Sequence, residues 1–315
     1  MPRRAASSSH TFPMVPPQPV RPGLALAQVA LGALLISVAP VWVRLAPVGP
    51  TVAGFYRMLV GAVVLLPLAL ARRERLWAGR RALGFVIVAS VCFTLDLVFW
   101  HMSIHRVGPG LATILANFQV FLLAAFGLIV LRERLHWQFL VAVPAALLGL
   151  FLLVGVNWDL LSAGYQAGVG LGLLTALVYG SYLLVLRASQ ARADRLEPLP
   201  NLLAICGVTA VLLLPVALWR GESLAVPDLR TGAILVAYGI TAQGLGWLLI
   251  SRGIPYVEAT RAGLVLLLQP ALAFVWDILF FGRPTGETDA VGALLALSAI
   301  YFGGRRRGRD DGMTG

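Results

Sequence analysis

Residues 111–134 read LATILANFQVFLLAAFGLIVLRER, and a displaced copy of that pattern decides the fold. Shifted by 150 positions they fall on residues 261–284, RAGLVLLLQPALAFVWDILFFGRP. Ala112 then meets Ala262, Gln119 meets Gln269 and Leu122 meets Leu272. Upstream, Ile104 meets Ile254 and Val107 meets Val257; downstream, Val141 meets Val291 and Ala146-Leu147 meets Ala296-Leu297. Coincidences among Leu, Val and Ala carry little weight in an apolar chain. The two glutamines carry more, because each is an uncharged polar group inside a long apolar run. Internal similarity of this kind is a mark of transporters built from repeats.

The 315 residues are 59% hydrophobic and only 12% charged, with mean hydropathy +0.84. A soluble domain carries about a quarter charged residues, so most of this chain is expected to avoid water. The class is an all-α polytopic membrane protein. The net charge of +11 does not point to nucleic acid. Every basic residue is an arginine, and the arginines sit in short clusters between apolar runs, the pattern of membrane loops. Cys92 and Cys206 lie inside apolar spans and suggest neither a disulfide framework nor a metal site.

If each span needs about 20 apolar residues, ten are expected: 24–43, 51–71, 83–101, 108–131, 137–156, 167–186, 199–218, 231–250, 259–281 and 290–303. Residues 1–23 are polar and proline-rich and read as a disordered cytoplasmic tail. Arg3-Arg4 and Ser7-Ser8-Ser9 hint at a targeting signal, but no convincing cleavage site follows. Residues 305–315 form a basic cytoplasmic tail.

With the N-terminus inside, 18 of the 25 arginines fall on cytoplasmic segments. Only Arg44, Arg106, Arg220, Arg230 and Arg283 lie opposite, so both termini are expected in the cytoplasm. Leu31-Gly32 recurs as Leu171-Gly172, opening the first span of each half. The unit is therefore five helices, covering 24–156 and 167–304. Five is odd, so the second copy enters from the opposite face, as an inverted repeat with its substrate site near mid-membrane.

Candidate functional groups follow from the cost of polarity in lipid. Gln119 and Gln269 both lie ~17 Å from their outer ends, close to the midplane. Each is either interhelical glue or part of a wet cavity. Pro270 interrupts its helix and is expected to free the carbonyl of Leu266, which suits a hinge or a ligand site. Asn117 is about 200° around a continuous helix from Gln119 and is expected to pack instead.

Arg57 and Asp96 are the costliest residues, at similar depths on the second and third spans, which allows an ion pair between them. Either that pair only locks two helices, or Arg57 binds a carboxylate and Asp96 takes up a proton as coupling ion. Trp100 lies one turn from Asp96 with His101 beside it, and Gln243 and Trp247 are likewise one turn apart. Asp277 is expected to reach water near the outer end of its span, and Glu258 and Arg261 are expected to be solvated. The substrate-binding candidates are thus Arg57, Asp96, Trp100, Gln119, Gln243, Trp247 and Gln269.

Enzyme signatures are missing: no HExxH, no GxSxG and no P-loop occur. No catalytic residue, cofactor or metal is therefore assigned. Two readings from other classes stay open. One is a lipid-modifying membrane enzyme with Asp96 and His101 as acid and base. The other is a scaffold whose intramembrane polar groups are only glue, and a homodimer is compatible with the sequence.

Ten spans, a five-helix duplication, FYRMLVGAVVLL at 55–66 and the run WHMSIHRVGPGLATILANFQVFLLAAFGLIVLRERL at 100–135 together resemble the EamA-type drug/metabolite transporter superfamily. Residues 131–135, LRERL, are similar to that family's "LGERL" ending, and Arg57 matches the arginine often found in its second span. Asp96-Leu97 with Trp100-His101 looks like a variant from a bacterial branch. Two features depart from the pattern. Gln119-Val120 replaces the usual proline of the fourth span, although Pro270 keeps it in the second copy. Arg283-Pro284 stands where a glutamate is usual. The resemblance implies an inner-membrane secondary transporter, commonly exporting amino acids or related small metabolites by alternating access around a central cavity.

Overall fold

Proline stands at the first position of the helices beginning at Pro50, Pro109 and Pro198. There its missing N–H removes a donor that would have had no intrahelical partner. The computed structural model describes residues 22–129, 137–154, 162–190, 192, 194–253, 256–257 and 265–304. The described residues are helical, with no strand among them.

The elements in order are α1 (Pro22–Ser37), α2 (Ala39–Leu45), α3 (Pro50–Ala71), α4 (Arg80–Val107), α5 (Pro109–Ala116), α6 (Gln119–Ile129) and α7 (Trp137–Val154). The second half holds α8 (Ala163–Gln190), α9 (Pro198–Trp219), α10 (Leu229–Tyr238), a π-helical segment (Gly239–Gly246), α11 (Trp247–Gly253), α12 (Leu268–Phe281) and α13 (Glu287–Gly304). Residues 1–21 and 305–315, residues 131–135 with their arginines, Glu258 and Arg261 lie outside the described residues, while Pro22 and Gly23, placed in the tail by the sequence reading, open α1.

Six stretches are long and apolar enough to cross a membrane: Gly23–Leu45, Pro50–Ala71, Arg80–Val107, Ala163–Ser189, Pro198–Trp219 and Leu229–Ile250. Three shorter apolar helices, Pro109–Leu123, Val141–Leu153 and Leu268–Phe281, accompany them. Large apolar side chains such as Val63, Leu147, Leu174, Val211 and Leu294 face outward. In water that surface would be very costly, and in lipid it costs nothing. The protein is an integral membrane protein.

Helices of the two halves pack on one another. α4 lies on α8, α7 on α13, α3 on α9, α5 on α12, and α1 on both α11 and the π segment. Small residues permit the closest approaches, as in other membrane bundles. At Gly149 of α7 an added Cβ would stand 2.6 Å from the backbone nitrogen of Ala296 on α13. Gly149→Val is therefore expected to force the two helices apart, at a cost of roughly 1–3 kcal/mol. Gly170→Ala on α8 has nothing within 4 Å of the new methyl and is expected to be neutral or slightly stabilising. Thermal melting of both variants in detergent checks the contrast, and equal midpoints would refute it.

Three breaks interrupt the apolar segments: at Val38 between α1 and α2, at Asn117-Phe118 between α5 and α6, and at Leu267 just before α12. Pro270 thus occupies the first turn of α12 rather than the interior of one continuous helix, a position proline tolerates. Gly282, left-handed at φ 61°, ends α12, a conformation a side chain would strain.

Candidate functional site

The second break decides what the fourth apolar segment presents. Because the helix turns at Asn117-Phe118, the angle expected between Asn117 and Gln119 on one continuous helix does not apply. Both residues line a single cavity of about 370 Å³ between the halves, and Asn117 also donates from Nδ2 to the Thr113 carbonyl at 2.8 Å. The sequence expectation that Asn117 only packs is corrected here.

Arg57, Asp96, Trp100, Gln119, Trp247 and Gln269, six of the seven candidate substrate contacts, line the same cavity. The structure adds Tyr179, Phe93 and Thr175 to its wall. The polar residues come from α3, α4, α6, α8 and α12, so both halves contribute. A volume of this size fits a small molecule.

Arg57 is 5% exposed, and its hydrogen-bond partners lie across the half interface rather than on α4. Nε donates to Gln243 Oε1 and Nη1 donates to the Tyr238 hydroxyl, both at 3.1 Å. The guanidinium carbon sits 5.7 Å from the Phe93 ring centroid, 5.9 Å from Trp100 and 5.3 Å from Tyr238. Three aromatic faces around one cation are favourable, each contributing on the order of 1 kcal/mol.

Asp96 faces the cavity 7% exposed. Among the described residues no ion pair joins it to Arg57. The Arg57–Asp96 lock that their matching depths allowed is thus not formed. The reason is that the second half offers Arg57 an amide and a phenol at shorter range. An arginine and an aspartate line one cavity without forming an ion pair.

Gln243 departs from its expected place. It is fully buried behind Arg57, on the π-helical segment, and its Nε2 donates to Cys206 Sγ at 3.4 Å. Cys92 and Cys206 are both free. Gln243 therefore holds the guanidinium instead of lining the cavity. π-helical segments often mark functional sites, and here one aims an amide at a buried cation.

Among the described residues, two cavity atoms have no hydrogen-bond partner: the donor Trp100 Nε1 and the acceptor Gln119 Oε1. An unpaired polar atom at such depth costs about 1–3 kcal/mol, which a bound ligand could recover.

His101 is fully buried, with Nδ1 2.7 Å from the Pro50 carbonyl and Nε2 2.8 Å from the Tyr238 hydroxyl. With both ring nitrogens engaged, it presents no base to the cavity. The acid–base pair that a lipid-modifying enzyme would need is not assembled. Among the described residues no group of three His, Cys, Asp or Glu is placed to hold a metal ion.

Asp277 also departs from expectation. Rather than reaching water it is 3% exposed. Its Oδ2 accepts the N–H of Gly110 at 3.0 Å and lies 3.6 Å from Arg283 Nη1. Gly108, at φ 87°, brings its backbone so close that a Cβ there would stand 2.6 Å from that oxygen. A carboxylate of one half caps a helix N-terminus of the other, where the helix dipole favours negative charge.

Residues 23–155 and 166–303 both match the model of the EamA-like transporter family. An uncharacterized transporter of Archaeoglobus fulgidus is 24% identical over 284 residues, covering 89% of this chain and 96% of that relative. The uncharacterized transporter YwfM of Bacillus subtilis is 23% identical over 256 residues, covering 80% and 83%. A solved crystal structure 18% identical to this chain is similar in fold, with a TM-score of 0.63 over 90% of this chain and 98% of that one.

Proposed function

This chain belongs to the EamA-like transporter family, and on that premise we propose that it is a secondary transporter exporting amino acids or related small polar metabolites. Alternating access takes place around the cavity between the halves. The observation that carries the reading is the pairing of Arg57 and Asp96 in one cavity without an ion pair between them. Opposite charges held apart suit a substrate that carries both signs. Trp100 Nε1 and Gln119 Oε1 supply an unused donor and acceptor, Gln269 a further amide, and Trp247 an apolar wall. Gln243 acts through Arg57.

The chain is arranged as ten spans in two inverted five-helix repeats, 24–156 and 167–304. Two features support this. The break at Asn117-Phe118 and the break at Leu267 are 150 positions apart and precede Gln119 and Gln269 respectively. The packing of α4 on α8 also becomes that of α1 with the π segment and α11 when the halves are exchanged. Broken helices near the midplane are where such folds place their sites. Pro270, in the first turn after one break, serves as the hinge. Arginine asymmetry supports a bacterial inner-membrane location with both termini cytoplasmic.

The test is mass spectrometry of the medium from cells overproducing the protein, against cells carrying Arg57→Ala at matched membrane levels. A metabolite enriched only with the parent protein is the expected result, and its identity names the substrate. Equal media, followed by equal uptake of labelled metabolites, would refute transport by this cavity.

A further inference from the structure

Arg57 is the end of a hydrogen-bond chain in which each donor is dictated by its neighbour. The Pro50 carbonyl can only accept, so His101 Nδ1 carries the proton and donates to it at 2.7 Å. In the neutral ring Nε2 is then an acceptor, and the Tyr238 hydroxyl donates to it at 2.8 Å. The Tyr238 oxygen, having given its hydrogen, accepts Arg57 Nη1 at 3.1 Å. Gln243 Oε1 takes the Nε–H at 3.1 Å. A guanidinium has five N–H groups. Two are held by these partners, which leaves three on a side chain that lines the cavity.

The chain spans the interface between the halves. Arg57, His101 and Pro50 belong to the first, Tyr238 and Gln243 to the second. Tyr238 and His101 are 0% exposed, and neither lines the cavity.

We propose that His101 and Tyr238 are positioning residues that fix the Arg57 guanidinium for substrate, and that they do so only in this arrangement of the two halves. The inference rests on the transport reading for its consequence but not for its geometry. A flexible arginine pays rotamer entropy when it binds, whereas one already held pays little. If the halves shift, the Tyr238 and Gln243 bonds break and the guanidinium loses its posture. Affinity for the group it holds then falls on one side of the cycle.

Two measurements decide the proposal, and they fail independently. The chain has four histidines, so nitrogen-15 histidine NMR of the full-length protein in lipid nanodiscs is readable, with the His101 signals identified by their loss in His101→Gln. The expected result is an Nδ1-protonated His101 ring whose Nε2 resonance moves in Tyr238→Phe. An Nε2-protonated ring, or no response to Tyr238→Phe, overturns the chain whatever the protein transports.

The second measurement is transport in proteoliposomes, with a carbon-13-labelled mixture of the twenty standard amino acids as probe. Tyr238→Phe and His101→Asn are expected to raise the KM of the transported compound about tenfold with maximal rate within about twofold. His101→Gln keeps an acceptor near the Nε2 position and is expected to restore most of the affinity. An unchanged KM in all three variants overturns the positioning role, since a merely structural role would lower folded protein and leave KM alone. If the parent moves none of the probe, the transport reading fails on its own and the histidine spectrum still decides the chain.

Discussion

Glu222→Ala is expected to destabilise the protein by roughly 2–4 kcal/mol, because it strands three donors at the start of α3. Glu222 lies in the connection after α9, yet its carboxylate is spent on the other half of the chain. Oε2 accepts the N–H groups of Thr51 and Val52 at 2.9 and 3.0 Å, and Oε1 accepts the Thr51 hydroxyl at 2.9 Å. Thr51 and Val52 are both fully buried, so water does not take over when the carboxylate is removed. The first amides of a helix have no partner within the helix itself, and Gly49 supplies no capping side chain.

Arg220, at 2.8 Å from Oε1, sits near the surface with 28% of its side chain exposed. Its loss is expected to matter much less, below about 1 kcal/mol. Denaturation of Glu222→Ala and Arg220→Ala in the same detergent compares the two. Gly49 provides an internal check, since a Cβ there would overlap the Glu222 carboxylate. Gly49→Ala should destabilise the parent but add little to Glu222→Ala, a non-additivity expected of groups that share one contact. Additive losses would show that Glu222 does not act through this cap.

The same geometry marks what the sequence could and could not reveal. Arg57 and Asp96 stood out because a charge in an apolar span is costly, and both reach the cavity. Gln119 and Gln269 stood out because the internal repeat aligned them, and they reach it too. Gln243 was visible as a polar residue in an apolar run, but polarity does not say whether an amide faces a ligand or a neighbouring cation. The expectation for Asn117 failed because it assumed an unbroken helix, and the break falls on Asn117 itself. Asp277 and Glu222 were out of reach for a different reason. Each caps a helix N-terminus contributed by the other half, which no local pattern records. The glycines and proline at 108–110 were a hint, since a helix start without a capping side chain needs an acceptor from elsewhere. The pairing of His101 with Tyr238 was hidden for the same reason, as the two residues are 137 positions apart.

Asp96→Asn is expected to abolish any dependence of export on an imposed proton gradient while leaving the cavity's shape in place. Asp96 lines the cavity, and among the described residues no hydrogen bond or ion pair reaches it. A carboxylate so placed needs a positive partner, either a proton or a cationic group on the substrate. Arg57 does not supply one, because Gln243, Tyr238 and three aromatic rings hold it elsewhere. Exchange of proton for substrate at a single carboxylate is the simplest coupling these residues permit. Asparagine keeps the volume and the acceptor but cannot take up the proton.

Export by the parent should therefore rise when an inward proton gradient is imposed on energy-depleted cells, and Asp96→Asn should respond about as weakly as cells without the gradient. Arg57→Lys keeps the charge and should keep the dependence, though at reduced affinity, since an ammonium lacks the planar fork that Gln243 and Tyr238 grip. An Asp96→Asn protein that still follows the gradient would remove Asp96 from coupling. It would leave that carboxylate the narrower task of pairing with a positively charged substrate group.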